Sequence, residues 1–230
     1  MRCFLPLVLF NLFCGISLSL AEDRFKSVFD GKSLEGWNCR PSSQSGNWTV
    51  EDGLIIGRGK GAESYLMFKD KLGDFELKFS YRLLSKEGNT GLEVRGTPVE
   101  GKASRLHGYH ADIGHVGIGD QVLGAWDFHE NNRGDYLTRR GERVTIAEDG
   151  TKTWEKIEGA FRPEDAKKGG WNQVHVFARG NRLWFIINDK TASEVIDNET
   201  AKRLDEGFVG FQLHSGDTMV VAFKNILLKQ

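Results

Sequence analysis

Apolar and polar residues alternate with period two along much of the chain. Phe75, Leu77, Phe79, Tyr81 and Leu83 are interleaved with Glu76, Lys78, Ser80 and Arg82, the pattern of a half-buried β-strand. Val174, Val176 and Ala178 alternate with His175, Phe177 and Arg179. Arg179-Gly180-Asn181-Arg182 then leads into an apolar run at 183–188, so the spacing predicts a hairpin with Gly180 and Asn181 where positive φ is needed. Two further strands are expected at 208–214 and 219–228, split by Ser215-Gly216-Asp217, with short ones near 25–29, 48–50, 54–56 and 65–68. Helical spacing is scarce. One turn is expected from Pro163 to Lys168 and another from Asp197 to Leu204, capped by Asp197 or Asn198. The absence of strand–long helix–strand alternation argues against a parallel α/β fold. Many short strands predict an all-β sandwich or jelly roll of two antiparallel sheets, with Phe75, Leu77, Phe79, Tyr81, Val209, Phe211 and Leu213 facing its core.

Three of these strands have distinctive polar faces. At 91–95, Leu92 and Val94 share one face, Glu93 and Arg95 the other. At 109–113, Tyr109, Ala111 and Ile113 oppose His110 and Asp112. At 209–214, Val209, Phe211 and Leu213 oppose Gln212 and His214. Same-face neighbours lie about 7 Å apart along a strand. If the three strands share a sheet, Arg95, His110, Asp112, Gln212 and His214 lie on its open face. Solvated faces are ordinarily rich in Lys, Glu and Thr. Here the residues are His, Asp, Arg and Gln, with glycines at 91, 96, 108, 114 and 210, so the pattern favours a site over a plain wet face.

The stretch from Gly114 to Arg140 reads as an irregular, Gly-rich loop carrying His115, Trp126, Asp127, His129, Glu130 and several arginines, the character of a lid or binding loop. Four of the six histidines (107, 110, 115 and 129) fall between Leu106 and Glu130. A divalent metal with His110 and Asp112 as same-face ligands is therefore thinkable. Yet no HExxH, CxxC or acidic calcium loop is present, and no metal ligand is assigned. Trp126 is a candidate stacking platform for a sugar ring, against the ordinary reading of a core tryptophan.

Composition narrows the function classes. A formal net charge of -1 argues against a protein that binds nucleic acid through phosphate neutralisation. Arg2, the apolar stretch to Leu20 and Ser19-Leu20-Ala21 read as a secretory signal peptide over residues 1–21, leaving one domain at 22–230, an extracytoplasmic location and no membrane partner after cleavage. Cys3 and Cys14 fall in that leader, so Cys39 has no intrachain partner and reads as an inert thiol. GxSxG, P-loop and strand–GxGxxG–helix motifs are absent.

Several short motifs, in order, resemble one family. They are Phe29-Asp30-Gly31-Lys32-Ser33-Leu34-Glu35-Gly36-Trp37, Trp48-Thr49-Val50-Glu51-Asp52-Gly53, Asp74-Phe75-Glu76-Leu77, Gly88-Asn89-Thr90-Gly91-Leu92, Gly108-Tyr109, Gln212-Leu213-His214 and Phe223-Lys224-Asn225-Ile226. The family is the 3-keto-disaccharide hydrolase domain of the concanavalin A-like superfamily. The resemblance implies a jelly-roll sandwich and cleavage of glycosides already oxidised to a ketone at sugar carbon 3. The ketone acidifies the C2 proton; a base removes it, an electrophile steadies the enolate, the C1 group leaves and water adds back. It further implies Asp112, Glu130 and His214 as catalytic groups. Asp112 or Glu130 would be the base and His214 the acid or enolate partner. Arg95, His110, Gln212, Asn89 and Trp126 are the substrate-binding candidates. A divalent metal can serve as electrophile. The alternative is a non-catalytic carbohydrate-binding module on the same sandwich.

Overall fold

A computed structural model describes residues 24–86, 88–114, 122–129, 133, 136–216 and 218–230. The proposed leader lies outside these residues, as do His115 and Glu130. The chain forms a jelly-roll β-sandwich. One sheet, the back sheet, has the order β11-β10-β14-β13-β12-β6-β16-β4-β3, with β1 also on β16. Its strands are β1 (Lys26–Ser27), β3 (Trp48–Glu51), β4 (Leu54–Lys60), β6 (Phe75–Leu83), β10 (Glu142–Ile146), β11 (Lys152–Lys156), β12 (Asn172–Arg179), β13 (Arg182–Ile187), β14 (Lys190–Asp197) and β16 (Thr218–Lys229). The front sheet runs β2 (Trp37–Arg40), β5 (Ser64–Phe68), β15 (Phe208–Leu213), β7 (Gly91–Pro98), β8 (Leu106–Asp112), β9 (Trp126–His129). No helix among the described residues is long and apolar enough to cross a membrane.

The period-two residues meet between the sheets. Phe75, Leu77, Phe79 and Tyr81 from the back sheet and Val209, Phe211 and Leu213 from the front are all buried. Phe211 stacks on Phe223 at 4.1 Å between centroids and meets Phe79 edge-on at 5.0 Å. Burial of each such ring contributes about 1.5–3 kcal/mol. Because the front sheet's inner face is filled this way, its alternate residues must face outward, and that is how the site residues are displayed.

The structure corrects some local expectations and refines others. At the β12–β13 turn Gly180 has φ 52, but Asn181 is not among the positive-φ residues; its side chain donates to Asn198 at 2.7 Å instead. The positive-φ pair is Asn188–Asp189, φ 49 and 64, which closes an unforeseen hairpin between β13 and β14. The 197–204 turn is a single turn, with Asp197 capping the Glu199 amide at 3.1 Å. The sheets are antiparallel except that β10 pairs with β14 in parallel. The stretch from 114 to 140 is not wholly irregular, since it contributes β9 to the front sheet. The turn at 163–168 is a short 3-10 segment at Pro163–Asp165.

Candidate active site

The front sheet sets its outward residues in register. Gly210 lies beside Glu93, Glu93 beside His110, and His110 beside Asp127. In the next row Gly91 lies beside Asp112, while His129 pairs with Gly108 one row back. Two glycines make this possible by close approach. A methyl group at Gly91 would fall inside the His110 imidazole, and one at Gly108 would collide with the Glu93 carboxylate. The side chains therefore lie flat across strands that offer them no Cβ to climb over.

The result is a chain of buried titratable groups. Glu93 Oε2 accepts from His110 Nδ1 at 3.1 Å and from His129 Nδ1 at 3.0 Å. The two imidazoles stack at 4.3 Å. His110 Nε2 faces Asp112 Oδ1 at 3.7 Å, and His129 Nε2 faces Asp127 Oδ2 at 3.8 Å. Glu93, His110 and Asp112 are 0%, 2% and 5% exposed.

Environment drives these groups apart in protonation. Burial, then the neighbouring charge of Asp127, holds the Asp112 carboxyl well above its usual range. Burial, then the charge of His129, pushes His110 down, against the pull of Glu93. His129 loses by burial but gains more from Glu93, Asp127 and Asp112, and is raised to about 9. Burial alone would raise Glu93, but the His129 charge and the two imidazole hydrogen bonds bring it below its ordinary value. The environment thus favours a proton on Asp112 and on His129 and disfavours one on His110 and on Glu93. Because Nδ1–H of His110 donates to Glu93, its Nε2 lone pair faces Asp112.

Glu93, His110 and His129 also lie close enough to hold a metal ion. Each offers one ligand atom, and these are within 4.8 Å of one another. Two imidazoles with one carboxylate suit a first-row divalent cation, and donor separations near 3 Å match bonds of about 2.0–2.2 Å. The residues fit such an ion, in place of the His110–Asp112 ligand pair considered from sequence.

Other nominated residues divide. Gln212 shares the outward face and donates Nε2 to Glu63 and to the Tyr65 hydroxyl, each at 3.1 Å. His214 follows β15, its amide donating to the Asn89 carbonyl at 3.4 Å. Asn89 Oδ1, Glu93 Oε1 and Gln212 Oε1 are buried acceptors without a hydrogen bond among the described residues, which asks for a ligand rich in donors. Glu130 lies outside the described residues.

Two nominations fail on placement. Arg95 does not share the face of His110. A bulge after Val94 breaks the alternation, Arg95 takes φ 54, and its guanidinium donates to the carbonyls of Gly73, Gly180 and Leu204. It tethers loops of the sandwich instead of facing a ligand. Trp126 is fully buried and packs edge-on against Phe185 of the back sheet at 5.8 Å, so it is a core residue, not a sugar platform. Sequence reasoning placed Glu93 on the polar face but left it out of the site. Its strict alternation with Leu92 and Val94 was the available signal. His129 and Asp127 lie on β9, whose four residues are too few to show a strand period in the sequence.

Comparisons bear on identity at this point. The model of the 3-keto-alpha-glucoside-1,2-lyase-like domain matches residues 24–229. A 3-keto-disaccharide hydrolase of Bacteroides thetaiotaomicron is 32% identical over 96 residues, 38% of this chain and 33% of that protein; the match thus spans about a third of the curated relative. A putative glycosyl hydrolase structure from Parabacteroides distasonis superposes with a TM-score of 0.59 at 17% identity, covering 89% of this chain and 93% of that one. The carbohydrate-binding module CBM66 of Bacillus subtilis superposes at 0.51 and 17% identity, covering 85% and 96%. At these identities the two structures show the shared fold alone.

Proposed function

Because the chain belongs to the 3-keto-α-glucoside-1,2-lyase-like domain family, we propose that it is a glycosidase-like enzyme that cleaves 3-keto-glycosides by elimination and water addition. The observation that carries this reading is the buried Asp112–His110–Glu93–His129 chain. A sugar-binding face needs hydrogen bonds, but not a protonated carboxyl 3.7 Å from an imidazole that is neutral and oriented by a carboxylate.

His110 Nε2 is placed to take the substrate C2 proton, with Glu93 holding the ring and its tautomer. The electron pair of the C2–H bond forms the enolate, which the cationic His129 stabilises. The enolate re-forms the ketone as C1–O breaks, and Asp112 gives its proton to the departing oxygen. Water then adds across the C1–C2 double bond, so the net reaction is hydrolysis. Asn89, Gln212 and His214 border this centre and take substrate hydroxyls. A divalent cation on Glu93, His110 and His129 would supply the electrophile for the enolate oxygen, and Asp112 is then the group left to carry the proton.

The assay is exchange of the C2 proton of a 3-keto-glucoside in deuterated water, with release of the aglycone, each with and without chelator. Exchange and cleavage that both disappear in His110→Gln support the reading. Binding of a glycan with neither exchange nor cleavage supports the alternative of a carbohydrate-binding module, which the unpartnered acceptors of Asn89 and Gln212 favour. The leader reading of residues 1–21 supports action outside the cytoplasm. Mass spectrometry of host-derived protein should find a terminus near Glu22, and an intact Met1 on cytoplasmic protein would overturn it.

A further inference from the structure

The front sheet's outward face does not end at Glu93. Across Gly210 it continues to Met67 on β5 and Asn38 on β2, in one register row. A groove of about 530 Å³ lies there, lined by Cys39, Arg40, Met67, Phe68, Pro98 and Phe208 among others. That volume is in the range of small-ligand sites. Tyr65, Met67 and Leu106, with Phe208 against them, form a small apolar cluster separate from the main core, so this part of the face is greasy where the Glu93 part is ionised. Met67 Sδ lies over Gly210 and is the shared wall between the groove and the titratable cluster. Two strand spacings, about 10 Å, separate the Met67 and Glu93 strands, the reach of one ring attached to the sugar.

Two features choose the occupant. The groove's lining contains the cations Arg40 and Lys69 but no carboxylate, and Lys71 Nζ lies 5.9 Å from the Phe208 ring centroid. The polar side chains Asn38 and Ser42 share that lining with the rings of Phe68 and Phe208 and the Met67 thioether. Aromatic ring, thioether and cation contacts suit an aromatic group that leaves with negative charge on oxygen. We propose that this groove is the aglycone subsite and takes a phenolic aglycone, so that aryl 3-keto-glucosides are preferred over 3-keto-disaccharides. This rests on the reading of the adjoining cluster as the site of cleavage. The bond from C1 to the phenolic oxygen breaks, its electron pair stays on oxygen as phenolate beside Arg40 and Lys69, and the phenolate takes a proton from water as it departs along β15 toward β5.

The test compares an aryl 3-keto-glucoside with a 3-keto-disaccharide of the same anomeric configuration, using Phe208→Ala and, as a change at the exposed rim, Arg40→Gln. The expected result is a fall of about five- to tenfold in kcat/KM for the aryl substrate relative to the disaccharide, the loss of one aromatic contact. An unchanged ratio in both variants overturns the proposal. Calorimetry with unoxidised phenyl glucoside and methyl glucoside supplies a readout independent of cleavage. If the wild type cleaves neither keto substrate, the enzymatic reading fails. The subsite still stands if phenyl glucoside binds more tightly than methyl glucoside and Phe208→Ala abolishes the difference, and it falls if the two bind alike.

Discussion

Each sheet turns a glutamate–histidine pair away from the core, and the two pairs differ in what surrounds them. On the back sheet, Glu76 Oε2 meets His175 Nε2 at 3.2 Å, while Arg179 and Lys229 close on the same carboxylate. Glu76 is itself 7% exposed, but Arg179 reaches solvent at 54% exposure, and permanent cations compensate the carboxylate. On the front sheet, Glu93 meets two imidazoles and, among the described residues, no arginine or lysine, and two aspartates stand behind them. One carboxyl is held well above its usual range and one imidazole is raised to about 9. The lesson is that an acid–base pair becomes a site when its compensating charges are themselves titratable and buried. Paired with permanent cations, the same two residues are scaffolding.

Mutation tests that difference most strongly at Asp112. Asp112→Asn should lower turnover of a 3-keto-glucoside by roughly 10²–10⁴ while the fold, followed by circular dichroism, persists. The comparison breaks if Glu76→Gln does the same. Arg95→Ala comes next. Removing a charged donor from three carbonyls should cost about 2–4 kcal/mol in denaturant unfolding, with turnover per folded molecule retained. A loss of turnover at full stability would return Arg95 to the site.

Titration separates the histidines by sign. His129 is raised from 6.5 to about 9, so the stability it contributes is complete below about pH 6.5 and is lost as pH rises through 9. His175 is lowered, by burial and then by Lys78. The unfolded chain binds that proton more readily, so His175 lowers stability as pH falls through its ordinary value. Melting curves with chelator present should show His129→Gln flattening the alkaline limb and His175→Gln the acid limb. Matching effects would mean that the faces are electrostatically alike. The smallest effect on chemistry is expected from Glu76→Gln, which should leave proton exchange at substrate C2 unchanged.

How far the sequence reached depended on local rules. The alternation at 75–83 and 208–213 predicted both strands and the residues that fill the core, because a period of two leaves only the choice of face. The same alternation placed His110, Asp112 and Gln212 outward, as found. It failed at Arg95, where one bulge turned the side chain toward Gly73, Gly180 and Leu204. It also failed at Trp126, because β9 carries no alternation longer than four residues and its loop context outweighed it. The glycines at 91 and 108 were visible beside the polar residues, but not their purpose, which is to leave room for His110 and Glu93.

The amino-acid sequence by itself determined the architecture: an all-β sandwich, its core phenylalanines and a polar face on the strands at 91–95, 109–113 and 209–214. These follow from periodicity and turn chemistry, which act between neighbours along the chain. The tertiary structure alone decided that Glu93, His110 and His129 from three strands meet at one carboxylate oxygen and that burial holds the Asp112 carboxyl well above its usual range. It also decided that Arg95 is structural. Register, bulges and burial set those outcomes, and each depends on residues far apart in the chain.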